Sequence, residues 1–431
     1  MTWNIHYYLA NQQEGLISTL ELSTSQKSFL SGLKDQVRNR TKEVFDEAKR
    51  IAREVIEENL STVSLQSKIS NSYLGYLSTA ERTEISLLLQ NMSKNERDAF
   101  RSISPRFWIQ GSYKYNTLNQ PYHKPPQEMD IDDGTYLPMD IFDNKPSVGH
   151  RLLILLVDAS LKSLEVQNKH NGWEFIGDKP TCSRLKIPSK HVHIDVPMYA
   201  VPKEEFKRKE EALAILKASE AYRDFSMQAL SESTQLESDS VYLAVRTEDK
   251  WKKSDPKIVA DWFAQSVKEI GIHLRVLCRI LKAWRDVQWD KGGPSSICLM
   301  KCAVDTLRRN PHDGSDLGET LRLLASHLPN QLLEGVRSPD PTDGDRLLFP
   351  SANEHSRKET EIVERARDLT STLERALVTD TKSEALRILQ TLFGSRVTNE
   401  ELIKHRDAAP AYKEEPAKTK PVYISDTMAS G

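Results

Sequence analysis

Three stretches decide how this chain reads: Gln110-Gly111-Ser112-Tyr113, then Met129-Asp130-Ile131-Asp132-Asp133-Gly134, then His193-Ile194-Asp195-Val196. Residues 129–139 are rich in apolar and β-branched side chains, which predicts a strand. Side chains alternate between the two faces of a strand. Asp130 and Asp132 therefore share one face, while Met129, Ile131 and Asp133 take the other. A second predicted strand, 191–200, puts His191, His193 and Asp195 on one face and Val192, Ile194 and Val196 on the other. Pairing the two strands gathers three carboxylates on one surface. Like charges that close repel unless a cation intervenes. Hard carboxylate oxygens suit Mg²⁺. Two such ions would activate an attacking hydroxyl and neutralise a leaving pyrophosphate. A transition metal on His191, His193 and Asp195 is the alternative donor set.

The Gly-Ser step fits the same chemistry. Residues 107–109 are a short aromatic strand, and a helix is expected to start near Tyr113. The free amides of that turn and the helix dipole would face a phosphate. Gly111 lets the backbone approach the ligand, and Ser112 adds a hydroxyl. The expected assembly is a triphosphate cradle beside a carboxylate metal site.

Outward from these motifs, residues 105–200 read as α+β. Further strands are expected at 181–186 and 191–200, joined by Pro188-Ser189-Lys190, with antiparallel pairing. An apolar helix is expected at 151–166. Upstream, residues 23–59 predict one long helix, with Leu30, Leu33, Val37, Val44, Ala48, Ile51 and Val55 on one face. Its other face carries Lys34, Arg38, Arg40, Lys42, Lys49, Arg50 and Arg53, either a solvated surface or the wall of an anion cleft. A second helical stretch covers 79–101, with Asn95 as its weak point. From about 207 the strand signals fade, and helices are expected at 207–230, from Pro256, at 272–289, from Pro294, and at 317–328, 359–377 and 383–393. Residues 407–431 read as a flexible tail. The expected division is a catalytic lobe at 1–205, an all-helical lobe at 206–406 and that tail.

Composition narrows the classes. A chain of 431 residues has room for two or three domains at ~150 residues each. Sixty Lys and Arg against 62 Asp and Glu leave a net charge of −2, which argues against a globally basic nucleic-acid binder. Four scattered cysteines are expected to be reduced and structural. No apolar run approaches the ~18 residues of a membrane span. The start shows no basic-then-apolar signal. A cytoplasmic protein with no membrane partner is expected.

The ordered motifs resemble the DNA-polymerase-β-like nucleotidyltransferases. The longer strings Gln110-Gly111-Ser112-Tyr113-Lys114-Tyr115-Asn116-Thr117-Leu118-Asn119 and Gln127-Glu128-Met129-Asp130-Ile131-Asp132-Asp133-Gly134 look like the bacterial cGAS/DncV-like branch. The resemblance spans nearly the whole chain. It implies an α+β nucleotidyltransferase core with a long N-terminal helix, an all-helical C-terminal lobe, and synthesis of 3′,3′-cyclic GMP-AMP from ATP and GTP in anti-phage signalling. It implies that Gln110, Gly111 and Ser112 bind the donor triphosphate. Asp130, Asp132 and Asp195 would bind two Mg²⁺, with Asp195 helping to activate the 3′-hydroxyl. Arg184 would contact the acceptor nucleotide, and Tyr115 would stack on a base. Lys282 and Ser296 would reach the donor phosphates, and Asp343 would read a base edge. Family members in operons with E1/E2-like enzymes are conjugated through a C-terminal glycine, here Gly431. Folate-like inhibitors bind a basic pocket in such proteins, to which the Arg-rich helix would contribute. The cysteine-rich zinc ribbon of the animal DNA sensor is missing, so nucleic-acid activation through it is not supported. Rival readings are another cyclic di- or trinucleotide, linear oligoadenylate, RNA tailing, or a non-catalytic nucleotide- or folate-binding regulator.

Overall fold

Ser23 starts the longest helix, α1 (Thr24–Glu57). Its hydroxyl accepts from the Gln26 amide, and the Gln26 side chain accepts from the Ser23 amide. That reciprocal pair satisfies two donors that a helix start leaves orphaned. The coordinates are a computed structural model describing residues 2–142, 145–146, 148–204, 206–207, 241–247, 251–343, 346–351 and 356–406. All seven apolar positions of the expected stripe on α1 are buried. Much of its basic face is paired. Arg40 reaches Glu43, Ser163 and Gln167, Lys49 reaches Asp46, and Arg50 reaches Glu47 and Glu54.

Three helices follow: α2 (Thr62–Ser70), α3 (Thr79–Gln90) and α4 (Lys94–Ser102). The expected single stretch over 79–101 is thus two helices. The break falls before Asn95, because Ser93 caps α4 with a Ser-Glu capping box of its own.

The strands β1 (Arg106–Gln110) and β2 (Met129–Met139) precede the apolar helix α5 (His150–Gln167). Then come β3 (Glu174–Ile176), β4 (Ser183–Ile187), β5 (Val192–Val196), β6 (Met198–Pro202), β7 (Tyr242–Ala244) and β8 (Trp251–Lys253). They form one eight-stranded sheet in the order β8-β7-β6-β2-β5-β4-β3, with β1 also on β2. The antiparallel hairpin expected between 181–186 and 191–200 is present as β4 and β5, but the sheet as a whole is mixed rather than antiparallel. β2 runs parallel to β5 and to β6, and antiparallel to β1. Parallel neighbours need a long crossover, and α5 with the β3–β4 pair supplies it. The strand expected over 191–200 is also two strands. His191 lies outside both, in a left-handed conformation with φ +51°, so it does not share the face of His193.

The helices α6 (Pro256–Ile270), α7 (His273–Gln288), α8 (Ser296–Arg309), α9 (Leu317–Glu334), α10 (Arg357–Ala376) and α11 (Lys382–Phe393) complete the fold. The C-terminal part is not purely helical. β7 and β8 extend the central sheet, and Val336–Arg337 pairs with Leu347–Phe349. Trp3–Asn4 pairs with Lys404–His405, and Trp3, Ile5, Leu9, Leu16 and Leu20 are buried in the core of the helical part. Strands of two or three residues are too short for alternation to show. The helix expected over 207–230 and the tail over 407–431 lie outside the described residues. All four cysteines are free and buried, and no described helix is long and apolar enough to cross a membrane.

One ion pair ties α1 to the acid-bearing strand. Arg38 donates to both oxygens of Asp133 at 2.5 and 2.7 Å, and the Asp133 side chain is 1% exposed. Removing one partner of a buried pair leaves an uncompensated charge. Arg38→Met is therefore expected to lower unfolding free energy in urea by about 3 kcal/mol. A loss below about 1 kcal/mol would show that water reaches Asp133 and that the pair carries little.

Candidate active site

At the end of β1 the chain turns at Gly111, with φ +63°. A Cβ at this position would collide with Oδ2 of Asp132. Only glycine both adopts this conformation readily and leaves that carboxylate its place. The helix expected near Tyr113 is a single turn, Gly111–Lys114, ending before Asn116 at φ +56°. One turn carries little macrodipole, so anion binding at this turn would rest on its backbone amides.

The acids meet through the parallel register. Asp130 stands opposite His193, and Asp132 opposite Asp195. Ligand atoms of Asp130, His193 and Asp195 all lie within 4.8 Å of one another. Burial, reinforced by the charges of Asp130 and Asp195, pushes the Asp132 carboxyl up to about 7. Asp130 is held below the usual carboxylate range: burial opposes this, but the contact with His193 and the charge of Arg184 outweigh it. For His193, burial is likewise outweighed by Asp130, so its ring is raised. Arg184 stands opposite Asp195 across β4 and β5 and donates to both its oxygens at 2.5 and 2.7 Å. Nε2 of His193 lies 2.8 Å from Oδ1 of Asp130, yet the contact is poorly directed, and both atoms are buried without a hydrogen-bond partner. Converging carboxylates, one near neutrality and one with a buried, orphaned oxygen, fit a hard divalent cation.

The opposite wall comes from the helical part. Lys282 on α7 is buried and donates to the Thr117 carbonyl at 2.6 Å. Burial and the neighbouring Arg285 push its ammonium down to about 8. Arg285 donates to the Ser296 hydroxyl at 2.9 Å. Gly111, Ser112, Tyr115, Asp130, Asp132, Lys282 and Ser296 line one cavity of about 520 Å³. Tyr115 packs its ring 5.6 Å from that of Phe263. Asp195 sits beside Asp132 on the neighbouring strand β5, with Arg184 one strand further out on β4. Gln110 is elsewhere: its amide donates to Tyr136, accepts from Tyr199, and lines a second cavity of about 100 Å³ with Trp108, Lys114 and Lys257. Asp343 ends the short turn Pro341–Asp343, with its side chain outside the described residues, as is Gly431.

Sequence reasoning passed over Glu128, Arg285 and Asp286, which line the same cavity. It also passed over Asn119 and Gln127. Asn119 donates to the Arg279 carbonyl at 2.8 Å, and Gln127 donates to the carbonyls of Asp286 and Trp289, both at 2.7 Å. These bonds fasten the loop after Gly111 to α7. Their only sequence signal was proximity to the motif.

Residues 105–199 match the family described as cyclic GMP-AMP synthase DncV-like, nucleotidyltransferase domain, and residues 271–406 match the cyclic GMP-AMP synthase C-terminal domain. The cyclic GMP-AMP synthase of Vibrio cholerae is 48% identical over the full length of both chains. A solved structure of the Vibrio cholerae dinucleotide cyclase DncV with GTP and 5MTHFGLU2 superposes with a TM-score of 0.87 at 48% identity, covering 94% of this chain and 99% of that one. Another, of DncV with the linear intermediate 5′ pppA(3′,5′)pG, has a TM-score of 0.86 at 47% identity, covering 95% and 100%.

The crowding of acids has a measurable cost. The Asp132 carboxyl is raised in the fold above its ordinary value of 3.8. Its contribution to stability is therefore fully present below pH 3.8 and is lost as pH rises towards 7. In metal-free buffer Asp132→Asn is expected to melt higher than the native protein at pH 8, with the gap narrower at pH 5 and closing only near pH 3.8. Equal melting temperatures at both pH values would show that Asp132 is solvated.

Proposed function

Because this chain belongs to the DncV-like family of nucleotidyltransferases, we propose that it joins ATP and GTP into 3′,3′-cyclic GMP-AMP. Two successive transfers would do this. In each, a ribose 3′-oxygen attacks an α-phosphorus, a P–O bond to the leaving pyrophosphate breaks, and the hydroxyl proton is lost. The linear product of the first transfer turns over in the cleft, and the second closes the ring. The observation that carries this reading is the pair Asp130 and Asp132 lining one cavity with the Gly111–Ser112 turn, with Asp195 converging on them from β5.

Asp130, Asp132 and Asp195 would hold two Mg²⁺, which supply charge neutralisation at the reacting phosphate and the leaving group when bound. The chain's own groups do the rest. The amides at Gly111 and Ser112 cradle the triphosphate. Lys282 and Ser296 reach its outer phosphates, and Arg285, within hydrogen-bond range of Ser296, adds a third donor. Asp195 draws the proton from the 3′-hydroxyl. Arg184, released from Asp195, contacts the acceptor nucleotide. Tyr115 stacks on a base and Asp343 reads a base edge. Gln110 acts on the triphosphate only through the backbone it shares with Gly111, since its side chain faces the second cavity. A folate-like inhibitor, conjugation of Gly431 by an E1/E2-like enzyme, and a role in anti-phage defence in the cytoplasm complete the proposal. Support for the folate-like partner comes from the DncV complex with 5MTHFGLU2.

Mass spectrometry of products from purified protein with ATP, GTP and Mg²⁺ is expected to show cyclic GMP-AMP and a linear intermediate. A different cyclic nucleotide, an oligoadenylate, or no product would overturn the assignment. Asp130→Asn with Asp132→Asn is expected to cut pyrophosphate release by well over ~100-fold, since even outer partners of a metal are worth 10- to 100-fold. An undiminished rate would remove the acids from the chemistry.

A further inference from the structure

Two of the three acids have an evident restraint. Asp195 has both oxygens on Arg184. Asp132 is packed against the turn at Gly111. Asp130 has no arginine of its own; what faces it is His193.

His193 is itself held. Its Nδ1 lies 3.0 Å from Oε2 of Glu128, and Oε1 of Glu128 lies 2.9 Å from the Lys186 ammonium. The side chains of Glu128 and His193 are only 13% and 11% exposed. The row follows from the sheet. Lys186 stands opposite His193 across β4 and β5, His193 opposite Asp130 across β5 and β2, and Glu128 immediately precedes β2. With Nδ1 turned to Glu128, Nε2 has one target, Oδ1 of Asp130 at 2.8 Å. Among the described residues neither atom has another partner, and both are buried.

We propose that Glu128 and His193 are positioning residues: Glu128 fixes the ring of His193, and His193 sets the carboxylate of Asp130 for the cation. This rests on the reading of Asp130 as a metal ligand. The poorly directed contact between Nε2 and Asp130 is a hydrogen bond not yet tightened, as is common before ligands bind. An outer partner that orients a ligating group raises the metal's affinity without touching it. Mg²⁺ prefers oxygen donors, so His193 stays outside the coordination sphere and acts through Asp130.

The test uses the full chain and Mn²⁺ as the probe, titrated by the electron paramagnetic resonance signal of the free ion. His193→Gln and Glu128→Gln are each expected to weaken Mn²⁺ binding on the order of 10- to 100-fold, with the fold intact by circular dichroism. At saturating Mn²⁺, kcat is expected to recover while KM for the nucleotides stays near the native value. A merely structural role would not give that split. Should His193→Gln fail to fold, Glu128→Gln, which conserves shape, carries the test. Native Mn²⁺ affinity in the folded variants would overturn the proposal. So would imidazole nitrogen coupling in pulsed spectra of the native protein, which would make His193 a ligand. Failure of the native protein to bind Mn²⁺ at all would overturn both this proposal and the reading of the acids beneath it, and so is distinguishable from failure of the variants alone.

Discussion

Mutual repulsion among carboxylates on adjacent parallel strands is the constraint on which the rest of this structure depends. Taken out of water, ionised groups this close destabilise one another. The fold answers with basic partners and with shape. Arg184 on β4 lies opposite Asp195 on β5, and His193 on β5 lies opposite Asp130 on β2. Asp132 has no such partner, and its carboxyl rises to about 7. Retaining that cost at one surface, next to a turn that admits only glycine, is the arrangement of a site kept ready for a cation rather than of a settled core.

The second half of the molecule completes this surface. The loop after Gly111 is fastened to α7 through Asn119, Gln127 and Lys282, so the turn at Gly111 and the basic wall cannot drift apart independently. Burying Lys282 also weakens its hold on its proton, which leaves a compact donor facing the cavity rather than a freely hydrated charge. The N-terminal residues from Trp3 to Leu20 pack into the helical core before α1 crosses to the sheet. The chain thus stitches both sides of the cleft from its first turns.

Much of this was legible in the sequence, for reasons that can be named. Period-two alternation gave the faces of Asp130, Asp132 and Asp195. The three-and-four spacing from Leu30 to Val55 gave α1, and Ser23 marked its start. Alternation says which side a residue faces but not which way the neighbouring strand runs, so the parallel register stayed hidden. With it stayed the step from His193 to Asp130 that completes the row starting at Lys186. Glu128 reads as an ordinary loop residue until the sheet folds over it. Gln110 belongs to the motif by sequence, yet strand alternation turns its amide to Tyr136, away from the larger cavity. The strands at 242–244 and 251–253 are too short to announce themselves.

Diffraction at the manganese edge, from crystals grown with Mn²⁺ and a non-hydrolysable nucleotide, tests the central claim most directly. The account predicts anomalous peaks at about 2.1–2.2 Å from oxygens of Asp130, Asp132 and Asp195, close to the distance expected of hard divalent ions, with the Arg184 guanidinium moved off Asp195. Peaks confined to other parts of the surface, with Arg184 still clasping both oxygens of Asp195, would contradict it.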